Sequence, residues 1–320
     1  MTQPCSMTEQ RDDGAPGAGG MLFDVKRFAI HDGPGIRTTA FFKGCPLSCV
    51  WCHNPESQSP DRELLHRPSR CTGCGACVAV CPEDAVRIEE GVAVTDRERC
   101  SACGACVSTC PVDARSTVGG VWTAEALCVE LSKDELFFEQ SGGGVTCSGG
   151  EPLAQASFCA EVLRLCRGRG IHTAVDTCGH AEEEALRRVA EQTDLFLYDV
   201  KLMDDDRHRR ATGVSNAKAL GNLDLLDRWE KRVWVRVPLV PGCNDDEGNL
   251  LELVAFVRRL SCVEALQVLP YHAGGEEKWI GLGRGGTDRA SIDPGRASDA
   301  ADRAVRLLTE RIDVPVTKGG

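Results

Sequence analysis

The sequence predicts an α/β fold, a parallel (β/α) barrel whose early strands are separated from the rest by a small cysteine-dense insertion. Three observations predict it. From about residue 120 onward, runs that read as strands alternate with helical patterns, the mark of βαβ units and a parallel sheet. Short polar motifs close one predicted strand after another, and in a parallel barrel those ends all face one mouth. Ahead of these units, one cysteine pattern occurs twice within about 55 residues, an internal repeat.

The chain of 320 residues is long enough for one large domain and a small one. Its formal charge of −11 argues against nucleic acid, because phosphate binding needs clustered Lys and Arg. No apolar run approaches the roughly 18 residues of a membrane span. Residues 1–20, rich in Gly, Pro, Asp and Gln and containing Cys5, read as a disordered tail without a secretion signal. Nineteen cysteines without such a signal are expected in the cytoplasm as thiols or metal ligands rather than disulfides.

In chain order, strands are expected at 23–30 and 39–44. The loop GCPLSCVWCHNPE (44–56) follows, with cysteines at 45, 49 and 52. Three ligands without a fourth describe a metal site with an open position. Cys71, Cys74, Cys77 and Cys81 then form C-x2-C-x2-C-x3-C followed by Pro82, and Cys100, Cys103, Cys106 and Cys110 repeat it before Pro111. This spacing resembles bacterial two-cluster ferredoxins, in which the fourth cysteine ligates the other cluster. The implied ligand sets are Cys71, Cys74, Cys77 and Cys110, and Cys81, Cys100, Cys103 and Cys106. Paired structural zinc sites are the alternative, but zinc ribbons use separated cysteine pairs. A segment this small is expected to depend on its clusters for folding.

Beyond the insertion, strands are expected at 144–147, 172–175, 195–200, 232–239 and 264–270. Helices are expected near 154–168, 181–192, 217–229, 246–260 and 297–311. Cys159 and Cys166 fall on an apolar helix face and read as packing residues. Cys128, Cys147, Cys178, Cys243 and Cys262 have no ligand-like neighbours in sequence. The strand-end motifs are SGGEP (148–152), DTCG (176–179), Asp199 and Lys201, and Tyr271-His272, with Arg236 inside the run RVWVRVPL. Singly each reads as a turn, a cap or a surface ion pair; together they mark one rim.

C-x3-C-x2-C with an aromatic residue before its last cysteine resembles the radical S-adenosylmethionine (SAM) enzymes. HDGPGIRT (31–38) and WCHNPE (51–56), with SGGEP, DTCG, YDVK and LPYH in order, resemble the glycyl radical enzyme activating enzymes within them, over residues 22 to about 283. The larger members carry the inserted repeat. The resemblance implies a partial (β/α) barrel of the radical SAM type over 21–60 and 117–320, with a ferredoxin-like domain over 61–116. It implies three 4Fe–4S clusters: one SAM-binding, held by Cys45, Cys49 and Cys52, and two auxiliary. SAM is the co-substrate, and the implied reaction forms a 5′-deoxyadenosyl radical that removes a glycine Cα hydrogen from a partner enzyme.

Residue by residue, the resemblance places Trp51 and His53 beside the cluster and adenine. Gly149, Gly150 and Glu151 are to meet the SAM amino group, with Glu151 as acceptor. Asp176 organises the carboxylate end, Asp199, Val200 and Lys201 meet the ribose and carboxylate, and His272 lies near the adenine. Asp32 is a candidate for guiding the glycine-bearing loop at the mouth, or simply starts a turn. No acid–base pair or nucleophile is expected, because the cofactor carries the radical step. A flavodoxin or ferredoxin is the implied reductant. The partner is one among dehydratases, decarboxylases and lyases of the glycyl radical class. The rival readings are a radical SAM enzyme acting on a small molecule or peptide, and a plain electron carrier.

Overall fold

The computed structural model describes residues 19–285 and 293–319. The expected tail therefore lies outside the described residues up to 18, and Gly20 already opens the first strand. β1 (Gly20–Ala29) and β2 (Arg37–Phe42) form an antiparallel pair, matching Leu22 with Phe42 and Ala29 with Arg37. Both begin two or three residues earlier than the sequence suggests. Lys43 and Gly44 leave the ladder to begin the cysteine loop.

The next elements belong to the insertion. β3 (Glu63–His66) pairs antiparallel with β6 (Arg115–Val118), and β4 (Val86–Glu89) with β5 (Val92–Thr95). Two single-turn helices, α1 (Ala76–Ala79) and α2 (Ala105–Ser108), each follow a left-handed glycine, Gly75 and Gly104. Asp84 and Asp113 share positive φ as well, so the sequence repeat is also a backbone repeat.

β7 (Gly120–Trp122) returns the chain to the edge beyond β1, and α3 (Ala124–Leu131) and α4 (Glu135–Ser141) follow. Strand then alternates with helix. The strands are β8 (Gly144–Gly149), β9 (His172–Thr177), β10 (Leu195–Asp199), β11 (Val233–Leu239), β12 (Val263–Pro270) and β13 (Val316–Lys318). The helices are α5 (Ala156–Gly168), α6 (Glu183–Ala190), α7 (Asp205–Thr212), α8 (Ala217–Arg228), α9 (Glu247–Val257), α10 (Glu276–Gly281) and α11 (Pro294–Thr309). One sheet runs β13-β12-β11-β10-β9-β8-β2-β1-β7, parallel from β13 to β2, with β1 and β7 antiparallel at the edge. Its ends do not pair, so the barrel is partial. The sequence pattern missed α3, α4, α7, α10, β7 and β13, along with the short strands and helices of the insertion. The segment DDRHRRAT of α7 has no apolar stripe and is held by its caps, with Asp204 accepting from Arg207 N.

Alternation along the strands separates two environments. Phe196 and Tyr198 of β10 face the helices and join the main core with Leu163, Leu186 and Leu223. Leu195 and Leu197 face inward with Ala174 and Trp234, an apolar layer inside the curved sheet. Asp176 and Asp199 end this inward row on β9 and β10, beside Arg236 of β11. The fold thus carries buried charge at the carboxyl ends of its parallel strands.

Candidate active site

The loop after β2 brings Cys45, Cys49 and Cys52 into one pocket with Leu47, Trp51, Leu202, Val240 and Cys178. Two outside elements hold it. Ser48 N and Val50 N donate to Thr212 O and Ala211 O at the end of α7, at 2.8 and 3.0 Å. From beyond β12, Trp279 Nε1 donates to Cys52 O at 2.9 Å, and Lys278 Nζ pairs with Glu56 at 2.6 Å. His53 stacks on His272 with ring centroids 3.8 Å apart, and His53 Nε2 is buried without a partner. Burial pushes the Cys49 thiol up to about 12 and Cys52 to about 11, so a bound cation is needed to hold either as thiolate. Among the described residues no three ligand side chains converge on a single ion. The donor set and the orphaned imidazole nitrogen fit an iron–sulfur cluster.

Below the loop runs a chain of buried charges. Lys201 Nζ pairs with Asp199 Oδ2 at 2.8 Å, Arg236 Nε with Asp199 Oδ1 at 3.2 Å, and Arg236 with Asp176 Oδ1 at 2.8 Å. Ser148 donates to Asp176 Oδ2 at 2.6 Å. Burial pushes Asp176 up to about 6, with Asp199 and Asp32 adding to the rise against the pull of Arg236. Asp199 lies below its ordinary range, because Lys201 and Arg236 together outweigh its burial. Sequence reasoning noticed Arg236 but gave it no role; only the alignment of β9, β10 and β11 shows it bridging both aspartates. Val200 sends its side chain into the main core, leaving only backbone at the rim.

Gly149 and Gly150 press against the start of the cysteine loop. A Cβ on Gly149 would meet Phe42 N at 2.3 Å, and one on Gly150 would meet Gly44 O at 2.6 Å. Gly150 N and Glu151 N donate to Phe42 O and Gly44 O, both at 2.9 Å. The Glu151 side chain lies between the ends of β8 and β9. It is fully buried, and its carboxyl accepts from Leu153 N, Thr177 Oγ1, Cys178 N and Cys178 Sγ at 2.7 to 3.0 Å. Glu151 therefore ties the end of β8 to the end of β9. Cys178, given no role from sequence, touches both Glu151 and the Cys45 thiol, whose pKa its hydrogen bond lowers.

Asp32 sits in the bend between β1 and β2. The loop joining β1 to β2 lies at the amino ends of the parallel strands, away from the cysteine loop. It folds back inside: Asp32 Oδ2 accepts from Thr39 at 2.7 Å, and Asp32 O accepts from Thr146 at 2.8 Å. Asp32 faces the interior from below rather than from the mouth.

In the insertion, Cys71, Cys74, Cys77 and Cys110 line one cavity. Backbone N–H groups of Ala93, Ala114 and Ala85 point at the sulfurs of Cys71, Cys110 and Cys81, at 3.3 to 3.4 Å. Donors aimed at sulfur suit cluster-bound thiolates. Cys159 and Cys166 pack in the main core, as do Cys128, Cys147 and Cys262, and Cys166 Sγ lies 3.8 Å from Cys128 Sγ.

Residues 63–111 match the family model of the 4Fe-4S dicluster domain, and 99–254 that of the Radical SAM superfamily. The chain is 46% identical to the trans-4-hydroxy-L-proline dehydratase activating enzyme of Clostridioides difficile, over 81% of this chain and 86% of that protein. It is 41% identical to the choline trimethylamine-lyase activating enzyme of Oleidesulfovibrio alaskensis, over 93% and 97%. In fold alone it is similar to Streptococcus suis SuiB bound to precursor peptide SuiA, with TM-score 0.50 and 14% identity, over 63% of this chain and 43% of that one. With its relatives matched along most of their length, the chain belongs to the glycyl radical enzyme activating enzymes of the radical SAM superfamily.

Proposed function

We propose that this chain installs a glycyl radical on a partner enzyme of the dehydratase or lyase type, using SAM at a cluster held by Cys45, Cys49 and Cys52. The observation that carries this reading is the convergence of three cysteines over Lys201, Asp199, Arg236 and Asp176 at the carboxyl ends of the parallel strands. When bound, the cluster and SAM supply one-electron cleavage to methionine and a 5′-deoxyadenosyl radical able to take a glycine Cα hydrogen. Lys201 and Arg236 offer positive charge to the SAM carboxylate, and Asp199 accepts from the ribose. The stacked rings of His53 and His272 border the adenine, with Trp51 packing the loop from behind. Gly149 and Gly150 keep the backbone close to the cysteine loop and open toward the SAM amino group, and Val200 contributes backbone only. A glycine suits the substrate role because it has no side chain to block approach.

Three clusters complete the reading. The eight insertion cysteines hold two auxiliary clusters in the sets given above, within a ferredoxin-like domain over 61–116 inserted into a barrel over 21–60 and 117–320. A flavodoxin or ferredoxin is the reductant, in the cytoplasm; among the described residues no helix is long and apolar enough to cross a membrane. The anaerobically reconstituted protein is expected to hold about twelve irons. Changing Cys45, Cys49 and Cys52 together to Ala is expected to remove about a third of the iron and all SAM cleavage. Zinc in the insertion, or SAM cleavage by the triple variant, would overturn this reading.

A further inference from the structure

Arg115 opens β6 and is 3% exposed, deep between the two halves of the cysteine repeat. Its Nη1 donates to Thr95 Oγ1 at 3.1 Å and points at Cys106 Sγ at 3.6 Å. Its Nη2 is buried without a partner. The same side chain lines the cavity formed by Cys71, Cys74, Cys77 and Cys110. Arg115 thus borders both sets of four cysteines.

Among the described residues no carboxylate forms an ion pair with it. Its strand neighbour His66 cannot offset the charge either: that imidazole is buried, and its Nε2 also lacks a partner. Arg97, the other cation nearby, donates to the carbonyls of Leu64 and Gly281. An arginine does not shed its proton in a protein, and a buried guanidinium with no anion is strongly unfavourable. Among the described residues, the fold has kept a cation where no carboxylate meets it.

We propose that Arg115 is the shared counter-cation of the two auxiliary clusters, hydrogen-bonded to the Cys106 thiolate of one and facing the other. A cluster bound by four thiolates is anionic and becomes more so on reduction, so a fixed buried positive charge favours the reduced state. The effect is largest for the cluster that includes Cys81, Cys100, Cys103 and Cys106, where the contact is direct. A shared cation also weakens repulsion between electrons held on neighbouring clusters. The inference rests on the two-cluster reading of the insertion, which the iron content of the unmodified protein tests separately.

The test is a redox titration of the full-length, cluster-loaded protein followed by electron paramagnetic resonance, with Arg115→Gln and Arg115→Lys compared. Added SAM marks the signal of the SAM-binding cluster, leaving the auxiliary signals distinguishable. Arg115→Gln is expected to lower the reduced-to-oxidised ratio of one auxiliary cluster about tenfold at fixed potential, about 59 mV for a one-electron couple. Arg115→Lys is expected to recover much of that loss, and the SAM-binding cluster is expected to titrate unchanged. Loss of auxiliary iron in the Gln variant but not in the Lys variant also supports the counter-cation role. Gln titrating like the unmodified protein overturns it, and so does equal loss of iron in both variants, which makes Arg115 a packing residue.

Discussion

Glu151 shows how a motif residue can tie two strand ends together. Its carboxyl takes hydrogen bonds from Leu153, Thr177 and Cys178, and burial raises its pKa against their pull. Glu151→Gln keeps the shape but turns an amide N–H toward groups that are themselves donors. Such a mismatch in a dry site is expected to cost about 3 kcal/mol. Denaturant unfolding of the cluster-loaded protein measures it; a change within about 0.5 kcal/mol, the usual effect of a surface substitution, would mean the latch contributes nothing. The motif GGEP was legible in sequence, but the direction of this side chain was not, because its partners lie on the next strand. Arg236 and Cys178 escaped for the same reason: strand alignment gives each its neighbours, not local spacing.

At the scale of elements, the cysteine loop is held from outside by two short helices with weak sequence signals. α7 is polar along its length, and α10 spans only Glu276–Gly281, so neither has an apolar stripe to announce it. Their termini nonetheless carry the contacts that shape the loop. Gly213 caps α7 with φ near +84°, and a Cβ there would come within 2.5 Å of Ser48 Oγ. Gly213→Ala combines backbone strain with that collision and is expected to displace the loop. Iron analysis of this variant is expected to show loss of about a third of the metal, with the auxiliary clusters retained. Full iron content with normal SAM cleavage would show that α7 does not fix the site. By contrast, the long strands were legible, because β-branched and apolar runs ended at recognisable polar motifs. Their outer helices were legible through apolar periodicity, to within a few residues at the ends.

For the whole molecule, the insertion and the barrel meet through α10. Arg97 of the insertion donates to Gly281 O at 2.7 Å, and Trp279 of the same helix donates to Cys52 O. Through α10 the insertion thus touches the cysteine loop, a contact that would serve either an electron relay or a brace for the docking surface. Replacing Cys74 and Cys103 together with Ala is expected to damage activation of the partner. Dithionite-driven SAM cleavage separates the two roles, since a small reductant can bypass a relay but cannot rebuild a surface. Normal activation and normal cleavage would leave the insertion with neither role. The cysteine repeat was legible from its spacing, and the 4Fe-4S dicluster family model matches it over residues 63–111. The inward turn of Asp32 was not, because a loop at the opposite end of the strands gives no local sign that it folds back inside.

The central claim is that the hydrogen removed belongs to a polypeptide glycine. A glycyl radical enzyme labelled with deuterium at its glycine Cα, mixed anaerobically with this protein, SAM and a reductant, tests that claim most directly. The account predicts deuterium in 5′-deoxyadenosine together with a doublet in the electron paramagnetic resonance spectrum of the partner. The dehydratase and lyase partners of the relatives are the first to try. Deuterium entering 5′-deoxyadenosine only from a labelled small molecule, with no radical on any glycyl radical enzyme of the same organism, would contradict it.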